Sequence, residues 1–206
     1  MNLSKFKNDE KPYTYYGNDI TIRYLLLDNR VYISDIFSYN EDLVIPEYID
    51  DFPITGLLTS AIHNNNNLRS ITLPKNLKFI GSNAIYDCGK LHTLKILENV
   101  EFIGPQAVTY CKSLSYLYMD CKHIENLPEA MIDDCGSLKN VYFYANADNV
   151  HKNVFRDVHE DVIIFCSPKN KIIEQLEDSK YKIQRCYSSS LEQFLEEDCF
   201  DKGIVK

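Results

Sequence analysis

Three cysteines, Cys88, Cys111 and Cys135, recur at steps of 23 and then 24 residues. Thiols repeated at a fixed spacing are the side chains best placed for chemistry in this chain, as metal ligands or as redox partners. A zinc site needs four convergent thiolate or imidazole ligands, and a disulfide framework needs paired cysteines at close spacing. Neither pattern is present: no Cys-x-x-Cys pair occurs, and Cys121, Cys166, Cys186 and Cys199 share no spacing with one another. A buried free cysteine behaves as a small apolar side chain, so the three recurrent thiols read as a ladder packed inside a repeating core. An odd total of seven cysteines fits a reducing compartment.

The other reactive residue types are dispersed. His63, His92, His123, His151 and His159 fall in different parts of the chain, and none sits in a metalloprotease spacing. The seven glycines form no phosphate-binding cluster. Asp133-Asp134 and Glu196-Glu197-Asp198 supply carboxylates, yet neighbours in a loop or tail do not make the opposed pair that acid–base catalysis requires. The expectation is a protein that is not an enzyme and takes no cofactor and no metal.

The chain of 206 residues is 45% hydrophobic, and its 22 basic against 30 acidic side chains leave a net charge of -8. That charge repels phosphate backbones and anionic lipid headgroups. The nearest approach to a basic patch, Lys169, Lys171, Lys180 and Lys182, is broken by Glu174, Glu177 and Asp178. Nucleic-acid binding is not expected. No stretch approaches the roughly 20 apolar residues of a membrane span, and the first residues lack the apolar core of a secretory signal, so no membrane insertion and a cytoplasmic location are expected.

These residues are positioned by an internal repeat. Leu68, Ile71, Leu73, Leu77, Ile80, Gly81, Ala84, Ile85 and Cys88 match Leu91, Leu94, Ile96, Val100, Ile103, Gly104, Ala107, Val108 and Cys111, each at an offset of 23. A third copy runs through Leu114, Leu117, Met119, Ile124, Leu127, Ile132 and Cys135, one residue longer and with Pro128 in the glycine column. A fourth starts at Leu138, Val141 and Phe143 and degenerates through Val150, Val154 and Phe155. Upstream, Leu43 to Pro46 resembles Ile71 to Pro74, with Asp51-Phe52-Pro53 lengthening the unit. About three regular units are thus expected, with an imperfect one on each side. In each unit the Leu-x-x-Ile-x-Leu segment alternates as a short strand. Ala84, Ile85 and Cys88, at i, i+1 and i+4, predict a single helical turn, entered by positive φ at Gly81 and at Gly104. One unit is too small to bury its own apolar row, so neighbours must stack.

The pattern Leu-x-x-Ile-x-Leu-Pro-x-x-Leu-x-x-Ile-Gly-x-x-Ala-Ile-x-x-Cys resembles the BspA-type leucine-rich repeat over roughly residues 43 to 185. The resemblance implies an α/β repeat, a short leucine-rich-repeat solenoid with a parallel β-sheet on its concave face, and a role in adhesion or protein recognition without catalytic residues. The chain departs from the family pattern at Ile85 and Val108, where phenylalanine is usual, and in lacking the signal peptide of the surface members.

Four regions follow. Residues 1–42 form a leader and an N-terminal β-hairpin cap, in which Ile20, Ile22, Tyr24 and Leu26 alternate, Asp28-Asn29 turns, and Val31 and Ile33 resume. Residues 43–160 are the repeats, and the asparagine run from Asn64 to Asn67 within them reads as a polar loop. Residues 161–186 form a C-terminal strand-helix-strand cap: Val162 to Phe165, a helix with Ile172, Ile173 and Leu176 opened by Ser167-Pro168, and Tyr181 to Ile183. Residues 187–206 form an acidic tail. Ser190 and Gln193 there have capping-box spacing, and Leu191, Phe194 and Leu195 make an apolar stripe, read either as a short helix lying on its own domain or in solvent, or as a docking peptide.

Alternation also names the surface. With the apolar rows facing inward, Ser70, Thr93, Tyr116 and Asn140 form one outward column and Thr72, Lys95, Tyr118 and Tyr142 the next, with Tyr144 at the edge. Thr72, Thr93, Lys95, Tyr116, Tyr118, Asn140, Tyr142 and Tyr144 are therefore the candidate partner-binding residues. Tyrosine at such positions serves recognition through its large amphipathic ring, and equally stabilises a sheet through cross-strand pairs. The functions carried forward are a protein-interaction module acting as a scaffold, a cell-surface or secreted adhesin exported without a recognisable signal, and a structural subunit of a larger assembly. The sequence assigns neither the protein partner nor the oligomeric state.

Overall fold

The structure, a computed structural model, describes residues 12–176 and 179–186. The described residues start with an antiparallel run, β1 (Tyr13–Gly17), β2 (Ile20–Leu27) and β3 (Arg30–Ser38). Asp28 and Asn29 both hold positive φ, 50° and 57°, which matches the twist that a two-residue hairpin needs. The first coil follows as β4 (Asp42–Val44), β5 (Tyr48–Ile49), β6 (Phe52–Leu57) and β7 (Ile62–His63). Asp51-Phe52-Pro53 lengthens this coil by making β5 and β6 an antiparallel pair.

Each later coil uses three short strands. They are β8 (Ser70–Thr72), β9 (Phe79–Ile80) and β10 (Ile85–Tyr86); β11 (Thr93–Ile96), β12 (Phe102–Ile103) and β13 (Val108–Thr109). The next two are β14 (Tyr116–Met119), β15 (Asn126–Leu127) and β16 (Ile132–Asp133), then β17 (Asn140–Phe143), β18 (Asn149–Val150) and β19 (Phe155–Arg156). The described residues end with β20 (Ile163–Cys166), the four-residue helix α1 (Ile172–Gln175) and β21 (Lys182–Arg185).

Corresponding strands stack in parallel, giving a β-solenoid of about seven turns whose long sheet runs β21-β20-β17-β14-β11-β8-β4. The sequence offset is the sheet register: Leu94 pairs with Leu117, Ile96 with Met119, and Leu117 with Val141. These side chains join a single core with Leu68, Leu91 and Leu114. Burying a row of this kind stabilises by about 1.5 to 3 kcal/mol per fully covered Leu, Ile or Val side chain. The fourth unit, which looks degenerate in sequence, keeps all three strands, because Val150, Val154 and Phe155 still fill the inward columns.

Three local expectations are corrected. The segment from Gly81 to Cys88 contains a strand, not a helical turn: Ile85 and Tyr86 pair in parallel with Ile62 and His63 and with Val108 and Thr109. Bends with positive φ at Asn83 (52°) and Asp87 (51°) flank that strand, and Gln106 (54°) with Tyr110 (57°) and Ala130 (51°) with Asp134 (51°) do the same in later turns. Two such corners, four residues apart, bring Ala84, Ile85 and Cys88 to one side as a helix would, so the spacing alone does not separate the two structures. The repeat is therefore a β-solenoid with one short helix among the described residues, not an α/β repeat.

Gly81 and Gly104, in turn, do not carry the left-handed conformation. They are needed for close approach: a Cβ at Gly104 would lie 2.7 Å from Ser82 N, and one at Gly81 would lie 3.1 Å from Leu57 O.

Strand, helix and strand occur in the expected order at the C-terminal end, and β20 and β21 continue the long sheet. Ser167-Pro168 does not open the helix. The chain first turns, Ser167 O accepting from Asn170 N at 2.9 Å, and the helix opens after Lys171 at the N-cap, with Asn170 Oδ1 one residue earlier accepting from Ile172 N at 3.0 Å. The asparagine run has distinct structural jobs: Asn64 holds a positive-φ corner (52°), Asn65 Nδ2 donates to Ser38 O at 3.0 Å, and Asn67 N donates to Asn65 Oδ1 at 3.2 Å. The readings of the leader before residue 12 and of the tail after residue 186 lie outside the described residues.

Candidate recognition face

The outward columns of the long sheet fall in the registers that alternation demands. Ser70, Thr93, Tyr116 and Asn140 pair in series, and so do Lys95, Tyr118 and Tyr142, while Thr72 pairs with Val44 at the N-terminal end. The strands position these side chains by holding Leu94, Ile96, Leu117, Met119, Val141 and Phe143 in the core, which leaves the alternate residues on the outside. Thr72 and Lys95 are exposed; Thr93, Tyr116, Tyr118, Asn140 and Tyr144 are half-buried. Tyr142 is fully buried.

The second column is a stack of rings. Tyr118 and Tyr142 lie 4.6 Å apart with 8° between their planes, and Tyr142 and Phe165 lie 5.0 Å apart at 13°. Lys95 Nζ sits 5.5 Å from the Tyr118 ring centre, and His92 meets Tyr116 edge-on at 5.3 Å. Tyr142, Phe165 and Cys186 form a second apolar cluster outside the main core, with Tyr116, Tyr118, Tyr144 and Ile163 packed against it. Burial, and secondarily the charge of the neighbouring Tyr116 phenolate, pushes the Tyr118 phenol above its ordinary value. Phe165 and Ile163 belong to the same columns as the tyrosines, and the sequence already carried the signal: 23 residues separate Tyr142 from Phe165.

A groove of about 790 Å³ opens on the side formed by β3, β6, β9 and β12. Its floor follows the register Tyr32, Gly56, Phe79 and Phe102. The Tyr32 ring lies over Gly56, where a Cβ would come within 2.3 Å of it, and Phe79 and Phe102 stack at 5.0 Å. The rim carries Arg30, His123, Glu125 and the ion pair of Lys78 with Glu101 at 2.6 Å. Phe79 and Phe102 also stand 23 residues apart, a column that core-directed reading of the sequence passes over.

Cys88, Cys111 and Cys135 are fully buried free thiols in successive turns. Hydrogen bonding to the next thiol of the ladder, Cys135, and burial push Cys111 up to about 12, which disfavours the thiolate that metal binding or nucleophilic attack requires. Among the described residues, no group of three or more His, Cys, Asp or Glu side chains is arranged to hold a metal. Asp133, read in sequence as part of a loop carboxylate pair, is instead buried and bound by Arg156 through two hydrogen bonds, one of them from Nε at 2.9 Å, and by Gln106 Nε2 at 2.9 Å. Arg156 holds the Asp133 carboxyl below its ordinary value, with Gln106 adding to the effect and burial opposing it. Among the described residues, no helix is long and apolar enough to cross a membrane.

Comparison with known proteins gives the same repeat. The family model described as "BspA type Leucine rich repeat region (6 copies)" matches residues 48–175. A comparison with curated proteins finds no match. Among solved structures, the pneumococcal vaccine antigen PcpA is similar with a TM-score of 0.50 and 19% identity, over 71% of this chain and 42% of the antigen. A leucine-rich cell surface protein from Faecalibacterium prausnitzii A2-165 aligns with a TM-score of 0.49 and 19% identity, over 76% of this chain and 45% of that one. The leucine-rich repeat protein of T. pallidum aligns with a TM-score of 0.39 and 16% identity, over 63% of this chain and 82% of that one. The chain thus spans less than half the length of the pneumococcal antigen, and at this identity the likeness concerns the fold alone. Leucine-rich repeats of this type are in general protein-interaction or surface-protein modules rather than catalytic folds. The matched span takes in more than half of the chain and coincides with the strands whose registers repeat the sequence offset, so the chain belongs to the BspA-type leucine-rich repeat family.

Proposed function

We propose that this chain is a non-catalytic protein-recognition module that binds a protein partner on the outer, concave face of its long sheet, through Tyr116, Tyr118, Tyr144 and Lys95 with Thr72, Thr93 and Asn140 around them. The observation that carries this reading is the aromatic cluster outside the core, in which half-buried tyrosines surround the stacked rings of Tyr142 and Phe165. Large rings held rigid by their neighbours, each with a polar tip, are the residues that dominate protein interfaces. Tyr142 supports that surface from within the ring stack, between Tyr118 and Phe165. In the same reading the β1–β3 unit and the β20–α1–β21 unit cap the two ends of the repeat core.

An odd total of seven cysteines with no closely spaced pair favours a reducing compartment, hence the cytoplasm, over the cell surface. Affinity capture with the native chain and with a Tyr116→Ala, Tyr118→Ala, Lys95→Ala variant tests the site. A partner retained by the native chain and lost by the folded variant is the expected result; equal retention would remove this face from the binding site. Labelling of intact source cells tests the compartment, and strong surface labelling would replace the cytoplasmic reading with the adhesin one.

A further inference from the structure

The groove over β9 and β12 belongs to a different sheet from the tyrosine face, and it ends on an uncovered ring. Phe79 and Phe102 hold paired positions in β9 and β12, and their rings stack at 5.0 Å with 7° between the planes. That separation is close to the ~4.8 Å between neighbouring strands, so the two rings lie one above the other along the solenoid axis. Phe79 covers one face of Phe102 and is itself buried, whereas Phe102 is 40% exposed. The second face of Phe102 looks toward the next turn, where β15 leaves the sheet and the corresponding residue, Asn126, supplies no ring to continue the stack.

The rim around this platform is polar. Besides His123, its ionisable side chains are Arg30, Lys78, Glu101 and Glu125, with both signs equally represented, and Lys78 already pairs with Glu101. Arg30 and Glu125 are exposed and enter no ion pair among the described residues. Asn126 Oδ1 accepts from Asn149 Nδ2 at 2.9 Å, which leaves Asn126 Nδ2 as a donor. A highly charged ligand of either sign would meet a repelling group for each attracting one. An apolar peptide anchor laid on Phe102 would strip water from Glu125 and Asn126 and give them nothing in return. A pyranose ring avoids both costs, because its C–H face packs on an aromatic ring while the hydroxyls at its edge donate and accept together.

We propose that this groove binds a neutral saccharide chain, with one pyranose ring stacked on the open face of Phe102 and its hydroxyls held by Glu125 and Asn126. Arg30 lies on β3, three strand spacings or about 14 Å from β12, so it meets a further ring of the chain. The groove volume of about 790 Å³ suits a ligand of that length. The stack with Phe79 holds the platform rigid before the ligand arrives.

The test titrates the full chain with cellohexaose, maltohexaose, mannohexaose and N-acetylchitohexaose, and with a heparin hexasaccharide as the charged comparison, by calorimetry and saturation-transfer NMR. At least one neutral probe is expected to bind with a Kd below about 10 mM, and Phe102→Ala to weaken it at least about tenfold. Glu125→Ala, an exposed change that leaves the stack intact, should weaken it several-fold, and Tyr39→Ala, an exposed ring outside the groove, should not alter it. Hydroxyl-radical footprinting of the native chain needs no variant: the bound saccharide should protect Phe102 and leave the exposed Phe37 unchanged. Absence of binding by all four neutral probes overturns the proposal. So does tighter binding of the heparin hexasaccharide, or binding that leaves Phe102 unprotected.

Discussion

Gly104 N donates to Ile80 O at 2.9 Å, as Gly81 N does to Leu57 O at 2.8 Å one turn earlier. One turn later the same position is Pro128, which has no amide to donate to Ile103 O, and there the sheet divides: β12 ends one sheet, and β15 pairs only with β18 in another. The bond returns in the following turn, where His151 N donates to Leu127 O at 3.0 Å. The proline and the extra residue of its unit thus break one side of the solenoid while the other two sides continue, and the groove over Phe102 opens beside that break.

Glycine is consequently required at 104 and not at 128. Gly104→Ala places a methyl 2.7 Å from Ser82 N, a backbone atom that cannot step aside, and should cost about 1 to 3 kcal/mol. Pro128→Ala should change stability by less than about 1 kcal/mol. Denaturant unfolding midpoints of the two variants check this, and a tolerated alanine at 104 would contradict the close packing between turns.

Asp133 and Arg156 make stability depend on acid. The folded Asp133 carboxyl titrates below its unfolded value of about 3.9, so its contribution is present above that pH and is lost as pH falls through the lower folded value. Asp133→Asn should flatten the loss of stability below about pH 4 that the native chain shows. Arg156→Ala should be more harmful than Arg156→Ala combined with Asp133→Thr, because the single change strands a buried carboxylate and the double change restores the residue type that Thr109 holds one turn earlier. Unfolding midpoints between pH 3 and pH 7 read both effects. Additive losses in the two variants would show that the pair is not coupled.

Sequence alone located the inward columns, because Leu94, Leu117 and Val141 share one chemical property at one offset and nothing else in the chain competes for it. The corners were not legible. Asn83, Gln106 and Ala130 adopt the same left-handed conformation with three unrelated side chains, imposed by the strands on either side rather than by local preference. Of the outer columns, Lys95, Tyr118 and Tyr142 were placed correctly, but Phe165 was assigned to a terminal cap. The same bias hid the Asp133–Arg156 pair, which joins adjacent turns at the repeat offset although its two residues look unrelated along the chain.

Ser60 offers a direct check on the corners. It holds φ 57° at the position where the next turn has Asn83, and a left-handed non-glycine residue costs roughly 1 to 2 kcal/mol, less when its side chain is asparagine. Ser60→Asn should therefore raise stability by about 0.5 kcal/mol, a shift of a few degrees or less in Tm. A loss of stability would mean that Ser60 is held by contacts that outweigh its backbone conformation.

The thiol ladder should report opening of the solenoid rather than surface chemistry. Cys111 is fully buried and its thiol is pushed up to about 12, which disfavours the reactive thiolate even where reagent reaches it. Modification of Cys88, Cys111 and Cys135 should accordingly proceed at one common rate, set by unfolding and raised by denaturant. Rapid modification of Cys111 under native conditions would contradict both its burial and the reading of the ladder as core.

Tyr142 decides whether the ring column is structure or surface. A ring stacked at 4.6 Å on one side and 5.0 Å on the other, and fully buried, behaves as core although it points away from the core. Tyr142→Ala should then cost about 3 kcal/mol, in the range for removing a buried aromatic side chain. Tyr118→Ala, which loses one stacking partner from a half-buried position, should cost about 1 kcal/mol. Thr72→Ala, exposed in the same column, should cost almost nothing. Thermal unfolding of the three variants gives the order. If Tyr142→Ala were no worse than Tyr118→Ala, the column would be an open surface throughout, and Tyr142 would rejoin Tyr116, Tyr118 and Tyr144 among the residues available to a partner.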